Sequence, residues 1–185
     1  MCAMTMETEA KLQVDSHEEI KAKLSAAGGS FVGEQLHTDM FFDDVARSLT
    51  KSDKCLRLRT SREGGSARFY LTYKGPKQTD DYKKRQEIEA EVKDADAVEK
   101  LLVVLGYEKT LVFEKRRELW RLVDCEVALD EVPRLGRFVE IEGPDDVSIA
   151  DVQRKLDLAG RSHIQQSYAA LIAEKRGPAR PRVKL

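Results

Sequence analysis

Glu7-Thr8-Glu9-Ala10-Lys11 carries a charge at every second position. In a β-strand alternate side chains share a face, so Glu7, Glu9 and Lys11 point the same way. The pattern recurs along the chain. Arg85, Glu87, Glu89 and Glu91 alternate in RQEIEAEV, Glu140 and Glu142 in FVEIEG, Arg57 and Arg59 in CLRLR, and Lys115 and Arg117 in FEKRREL. Apolar residues fill the other positions. Leu56 and Leu58 flank Arg57, and Ile88 and Val92 oppose Glu87 and Glu89. Val139 and Ile141 flank Glu140, and Val123, Cys125, Val127 and Leu129 oppose Asp124 and Glu126. Each strand thus has one oily face for helices to cover and one charged face. The fold class expected is α+β: an eight-stranded antiparallel β-barrel, or tunnel, with a charged interior and helices packed outside. About eight strands are enough to close a barrel around a small ligand. Strand by strand, a sheet with one solvated face explains the charges equally well. The return of Arg and Glu at paired positions on strand after strand favours the tunnel.

The 185 residues fit one domain with a real core. Charged residues make up 35% of the chain, above the usual share of about 25%, yet the net charge is only -1. That balance gives no general attraction to nucleic acid or to a membrane, and neither partner is expected. Cys2, Cys55 and Cys125 are odd in number and lack metal-ligand spacing, as reduced thiols of a cytoplasmic protein would. No apolar run approaches the roughly 20 residues of a membrane span, and MCAMTM does not read as a signal peptide. The stretch 175–185, KRGPARPRVKL, reads as a basic disordered tail behind a domain spanning 5–174.

Helix signals punctuate the strands. Ser16 and Glu19 form a capping box ahead of Ile20, Leu24 and Ala27, with Gly28-Gly29 as the stop. Asp94 or Asp96 opens a second helix through Val98, Leu101, Leu102 and Leu105. Ser148 is expected to open a third and Ser162 a fourth, the latter carrying Ile164, Tyr168, Leu171 and Ile172. Strands are expected near 5–14, 35–43, 54–61, 67–75, 84–93, 111–122, 123–130 and 137–142, with a hairpin turn in SREGGSAR at 61–68. Three times a Glu-x-Glu strand leads into a capped helix, with a glycine 17 to 19 residues after the second Glu: Gly28, Gly106 and Gly160. Duplication and ordinary strand–helix geometry explain this repeat equally well.

Together, ExExK at Glu7, Glu9 and Lys11, LRLR at 56–59, LTYKGP at 71–76, RQEIEAEV at 85–92, EKRRELW at 114–120, LDEVPRLGRFVEIEG at 129–143 and SYAALI at 167–172 resemble the CYTH superfamily, the triphosphate tunnel metalloenzymes. Within it the chain is most similar to the class IV adenylyl cyclase branch. The resemblance implies a cytoplasmic enzyme that uses two Mg²⁺ or Mn²⁺ ions and takes a small-molecule triphosphate, ATP or polyphosphate. It also leaves room for a homodimer. It implies Glu7, Glu9, Glu140 and Glu142 as metal ligands and Arg57, Arg59, Lys74, Arg85, Glu87 and Glu89 as substrate-binding residues. Lys11, Lys115, Arg117 and Asp130 are implied as catalytic. The first reaction implied is cyclisation of ATP to cyclic AMP and pyrophosphate. The alternative is hydrolysis of tripolyphosphate, thiamine triphosphate or a nucleoside triphosphate.

The residue types suit that chemistry. Arg presents a planar fork matched to phosphate, Lys a mobile charge, and Glu the hard oxygens that Mg²⁺ prefers. Some family hydrolases carry a tyrosine on the second strand to activate water. Here that strand reads Asp39-Met40-Phe41-Phe42-Asp43, and only Tyr70 or Tyr73 could substitute. His17, His37 and His163 are expected as surface or capping residues, Cys55 and Cys125 as small core residues, and Trp120 as packing. Arg47, Lys51, Lys54 and Arg62 read as loop charges, either solvated or closing over substrate.

Overall fold

The computed structural model describes residues 5–78 and 81–176. Eight antiparallel strands close into a barrel in the order β1-β5-β4-β3-β2-β6-β7-β8. They are β1 (Thr5–Val14), β2 (Ser30–Asp44), β3 (Cys55–Glu63), β4 (Ser66–Gln78), β5 (Lys83–Val92), β6 (Tyr107–Leu122), β7 (Cys125–Val132) and β8 (Gly136–Glu142). The helices are α1 (His17–Ala26), α2 (Ser48–Lys51), α3 (Ala95–Val104), α4 (Asp146–Lys155) and α5 (Tyr168–Arg176). The expected tunnel with outside helices is therefore the architecture found.

The outward faces make two apolar layers. Leu12, Val127, Leu129, Val139 and Ile141 of β1, β7 and β8 pack against Ile20 and Leu24 of α1 and Ile149 and Val152 of α4. Phe42 and Leu58 pack against Leu102 of α3. α3 covers less than its sequence suggests, since Leu101 and Leu105 face solvent and only Leu102 is fully buried. α5 closes a third cluster with Val132, Leu135, Phe138 and Tyr168. Gly64 and Gly65 both have positive φ (54° and 88°), which suits the tight β3–β4 hairpin.

Several boundaries differ from the sequence reading. Asp145, not Ser148, caps α4, accepting a hydrogen bond from the Ser148 N–H at 2.8 Å. Asp157 (φ 54°) takes the left-handed position after that helix, and Gly160 lies beyond it. Ser162 opens no helix. Its neighbour His163 is engaged instead, with Nδ1 3.0 Å from the Asp81 carbonyl and Nε2 2.9 Å from Gln153. Ser167 is the cap of α5, its Oγ accepting from Ala170 N–H. Of the two candidates for α3, Asp94 is the cap. Val123 and Asp124 form a turn, so β7 starts at Cys125. β2 and β6 begin at Ser30 and Tyr107, earlier than expected, and α2 has no counterpart in the reading. α5 takes in Lys175 and Arg176, and the rest of the expected tail, 177–185, lies outside the described residues. No helix among the described residues is long and apolar enough to cross a membrane.

Candidate functional site: a tunnel with two unlike walls

Barrel closure does what no local pattern could. It sets β1 between β5 and β8, so the three Glu-x-Glu strands stand side by side. Glu9 lies directly opposite both Lys83 and Glu142, Glu7 opposite Arg85, and Lys11 opposite Glu140. Directly opposed residues share a face, and this face looks into a cavity of about 1530 Å³. Thirteen of the fourteen proposed site residues line it: Glu7, Glu9, Lys11, Arg57, Arg59, Lys74, Arg85, Glu87, Glu89, Lys115, Arg117, Glu140 and Glu142. The exception is Asp130, which is fully buried behind the lysines.

The first wall is acidic. Glu7 and Glu9 are both buried. Lys74 Nζ donates to both Glu7 oxygens at 2.6 Å and lies 3.0 Å from Glu87. Lys83 pairs with Glu9. Glu142 has no ion-pair partner among the described residues. Its side chain is open to the lumen but walled by protein. That enclosure, with Glu7, Glu9 and Glu87 nearby, pushes its carboxyl up to about 7 although Lys74 opposes the shift.

The second wall is basic and centres on Asp130. Its Oδ2 accepts from Lys115 Nζ (2.8 Å), Arg117 (2.6 Å) and the Tyr168 hydroxyl (2.9 Å), and its Oδ1 accepts from Arg117 Nε (2.7 Å). The Tyr168 ring lies under Lys11 (4.2 Å) and Lys115 (4.8 Å). Lys11 also donates to the Gln166 carbonyl at 3.1 Å, and Ile164 N–H donates back to the Lys11 carbonyl. Burial, with Arg117 alongside, pulls the Lys115 ammonium down to about 8 against the pull of Asp130 and Glu140. Glu140 sits in this cationic group, 3.2 Å from Lys11 and paired with Arg117. Burial raises its carboxyl, but Lys11, Lys115 and Arg117 outweigh burial and hold it well below the usual range. Arg59 grips Asp39 through two hydrogen bonds at 2.6 and 2.8 Å. Arg57 donates to Thr72 at 3.1 Å, and Thr72 in turn donates to Glu89 at 2.7 Å.

Arg85 is spent differently. Its Nε donates to the Gly75 carbonyl at 2.7 Å and its NH2 to the Asp53 carbonyl, so it fastens the β2–β3 loop. Asp53 is also held by Lys77, and Arg47 and Lys54 of the same loop line the cavity. Lys51 stays exposed, and Arg62 donates outward to Thr38. Sequence reasoning missed Asp39, Asp53, Lys77, Lys83 and Tyr168. Lys83 sits one alternation before Arg85, and Asp39 alternates with Phe41, so both were within reach of the pattern. Tyr168 was read only as part of an apolar stripe. His37 is buried, not a surface residue, at 4% exposure. Trp120 faces outward against Phe31, as packing.

The donor chemistry suits a hard cation, because Glu7, Glu9, Glu87 and Glu142 offer carboxylate oxygen alone. Among the described residues no three His, Cys, Asp or Glu side chains are gathered tightly enough to hold a metal. Lys74 and Lys83 already occupy Glu7 and Glu9. Mg²⁺ commonly uses one or two carboxylates and takes its other ligands from phosphate and water. The wall fits a cation that arrives with an anion.

Comparison with known proteins identifies the family and the fold. The CYTH domain matches residues 5–168. The chain is 31% identical over 150 residues, 81% of each chain, to a Methanocaldococcus jannaschii protein named "putative adenylate cyclase". The PH1819 protein of Pyrococcus horikoshii, of solved structure, is 33% identical with a TM-score of 0.79, over 92% of this chain and 99% of that one. A Hippeastrum protein whose structure is described as a putative adenylyl cyclase with a dominant triphosphatase activity shares the fold at 16% identity. Its TM-score is 0.71, over 95% of this chain and 98% of its own.

Proposed function

This chain belongs to the CYTH family, and we propose that it is a Mg²⁺- or Mn²⁺-dependent enzyme acting on a triphosphate, with ATP cyclisation as its first reaction. The observation that carries this reading is the facing of an acidic and a basic wall across one lumen. A polyanion alone would not need Glu7, Glu9 and Glu142, and a cation alone would not need Arg57, Arg59, Lys115 and Arg117. A metal–triphosphate uses both sets. The name of the Methanocaldococcus jannaschii relative supports the cyclase, as does the lack of a tyrosine in the stretch Asp39-Met40-Phe41-Phe42-Asp43 of β2.

In cyclisation the ribose 3′-hydroxyl gives its proton to water, its oxygen bonds to the α-phosphorus, the bond from that phosphorus to the α,β-bridging oxygen breaks, and pyrophosphate leaves. The bound cation would neutralise charge on the phosphate oxygens. Glu7, Glu9 and Glu142 would hold it. Arg57, Arg59 and Lys74 would bind non-bridging oxygens, and Lys74 would leave Glu7 to do so. Lys115 and Arg117 would hold the departing pyrophosphate, with Lys11 beside them. Asp130, fully buried behind them, keeps those cations in place together with the Tyr168 hydroxyl. Hydrolysis is the second reading. Tyr70 shares the face of Arg59 and Glu91 but does not line the cavity, and its hydroxyl accepts from Arg68, so that reading rests on the same acidic and cationic walls without a tyrosine in place to activate water.

The test is a product assay with Mg²⁺ and then Mn²⁺, offering ATP and tripolyphosphate in parallel. Cyclic AMP plus pyrophosphate is the expected result. Orthophosphate from tripolyphosphate without cyclic AMP would move the protein to the hydrolase reading, and no turnover of either would remove both.

A further inference from the structure

The buried face of α4 carries one polar side chain. Gln153 is 4% exposed and lies beside Ile149 and Val152. A glutamine there costs free energy unless both ends of its amide are bonded. Both are. Its Oε1 accepts from the Tyr82 hydroxyl at 3.1 Å, and its Nε2 lies 2.9 Å from His163 Nε2. An amide nitrogen only donates, so His163 Nε2 accepts and Nδ1 carries the proton, which it donates to the Asp81 carbonyl at 3.0 Å. The Tyr82 and His163 rings also meet, with centroids 5.0 Å apart. The three side chains thus clasp α4, the residue before β5 and the segment 161–167 together. None of the three lines the tunnel.

What the clasp holds does reach the tunnel. The segment 161–167 has neither helix nor strand of its own. β1 pairs with β5 from Thr5 to Glu9, and beyond Glu9 this segment takes the place that β5 leaves. Ile164 N–H donates to the Lys11 carbonyl at 2.8 Å, and the Gln166 carbonyl accepts from Lys11 Nζ at 3.1 Å. One short stretch therefore holds both the backbone and the ammonium of Lys11. Between these contacts, Gln165 donates to the same Asp81 carbonyl as His163, at 3.2 Å. On the clasp's other arm, Tyr82 immediately precedes Lys83, the partner of Glu9. An apolar side chain at 153 would fill the core equally well, but it would tie none of these segments together.

Resting on the triphosphate reading only for what Lys11 does there, we infer that Gln153, His163 and Tyr82 are positioning residues for Lys11. From outside the tunnel they fix the segment whose backbone sets where the Lys11 ammonium stands inside it.

The experiment reads Lys11 by NMR in the ligand-free chain, labelled with carbon-13 lysine. The Lys11 Cε–Hε signal is assigned by its loss in Lys11→Met. Nζ stands 4.2 Å from the Tyr168 ring centroid, so the ring current should set this signal apart from those of exposed lysines. Gln153→Met and His163→Phe keep bulk but break the clasp, and they should move the signal back toward the others. Tyr82→Phe removes one hydroxyl and should move it less; this variant carries the test if the other two fail to fold. An unchanged Lys11 signal in the folded variants overturns the inference. Calorimetric binding of tripolyphosphate with Mg²⁺ is the second readout. A clasp variant should weaken it about 5-fold in the wild-type background and no more than about 2-fold in Lys11→Met, because a residue acting through Lys11 has nothing to act on once Lys11 is gone. An equal loss in both backgrounds makes the clasp a structural tie alone and overturns the inference. If the wild-type chain binds no tripolyphosphate, the triphosphate reading falls, and the Lys11 signal alone decides the clasp.

Discussion

Glu142 and Lys115 stand on opposite walls of one tunnel and are disturbed in opposite directions. The Glu142 carboxyl is pushed up to about 7 by enclosure and then by Glu7, Glu9 and Glu87, although Lys74 opposes the shift. The Lys115 ammonium is pulled down to about 8 by burial and then by Arg117, against the pull of Asp130 and Glu140. Glu142 has no ion-pair partner among the described residues, whereas Lys115 meets Asp130 at 2.8 Å and shares Glu140 with Lys11 and Arg117. Enclosure disfavours the charged form of each unless a partner of opposite sign offsets it. A metal–triphosphate would relieve both at once.

The strongest way to break this comparison is to disarm the acidic wall. Glu9→Gln keeps shape and removes charge, and it should abolish metal-dependent turnover. Near-normal activity would take Glu9 out of the cation site. The matching change on the basic wall, Lys115→Met, should lower kcat by roughly 10²- to 10³-fold, the cost of losing one preorganised partner for developing charge. A change confined to KM would show that Lys115 binds the ground state only.

Asp130 tests how the basic wall is built. Its two oxygens receive four hydrogen bonds from three residues on two elements, β6 and α5. Asp130→Asn leaves Lys115 and Arg117 without their buried counter-charge, which typically costs about 3–5 kcal/mol. For a chain of this size Tm should fall by roughly 10 °C. A shift of a degree or two would mean that Glu140 alone can hold those cations.

Glu142→Gln sharpens the comparison with the smallest effect and the opposite sign. The folded-state carboxyl is raised, so the folded chain holds a proton that the unfolded chain releases. Glu142's contribution to stability is full below the unfolded value near 4.5 and is lost as pH rises through about 7. The substitution should therefore raise Tm by about 2–4 °C at pH 8, after solvent screening, and change it little at pH 5. An equal shift at both pH values would mean that the penalty on the ionised carboxyl, from enclosure and then from the neighbouring acids, is not the cause.

The barrel was legible because strand alternation is local, and Glu7, Glu9 and Lys11 disclose it within five residues. The walls were not. Lys83 is separated from Glu9 by 74 positions and Tyr168 from Asp130 by 38, so their meeting depends on closure and on where α5 docks. Arg85 shows the limit from the other side. Alternation correctly points it inward, yet two backbone carbonyls of neighbouring segments claim its guanidinium. The starts of α4 and α5 were misplaced for a related reason. Ser148 and Ser162 each look like a cap, but Asp145 outcompetes the first, and His163 in the second region is tied to Gln153 and the Asp81 carbonyl in a segment with no helix before Tyr168.

The most direct measurement is Mn²⁺ binding to the wild-type chain, followed by electron paramagnetic resonance, with and without tripolyphosphate. If the two walls wait for one shared ligand, each component must raise the affinity for the other, because such coupling is reciprocal. Mn²⁺ should bind weakly alone and tightly with the anion, beyond what the Mn²⁺–tripolyphosphate complex forms in buffer. Equal Mn²⁺ affinity with and without tripolyphosphate would contradict the two-wall account.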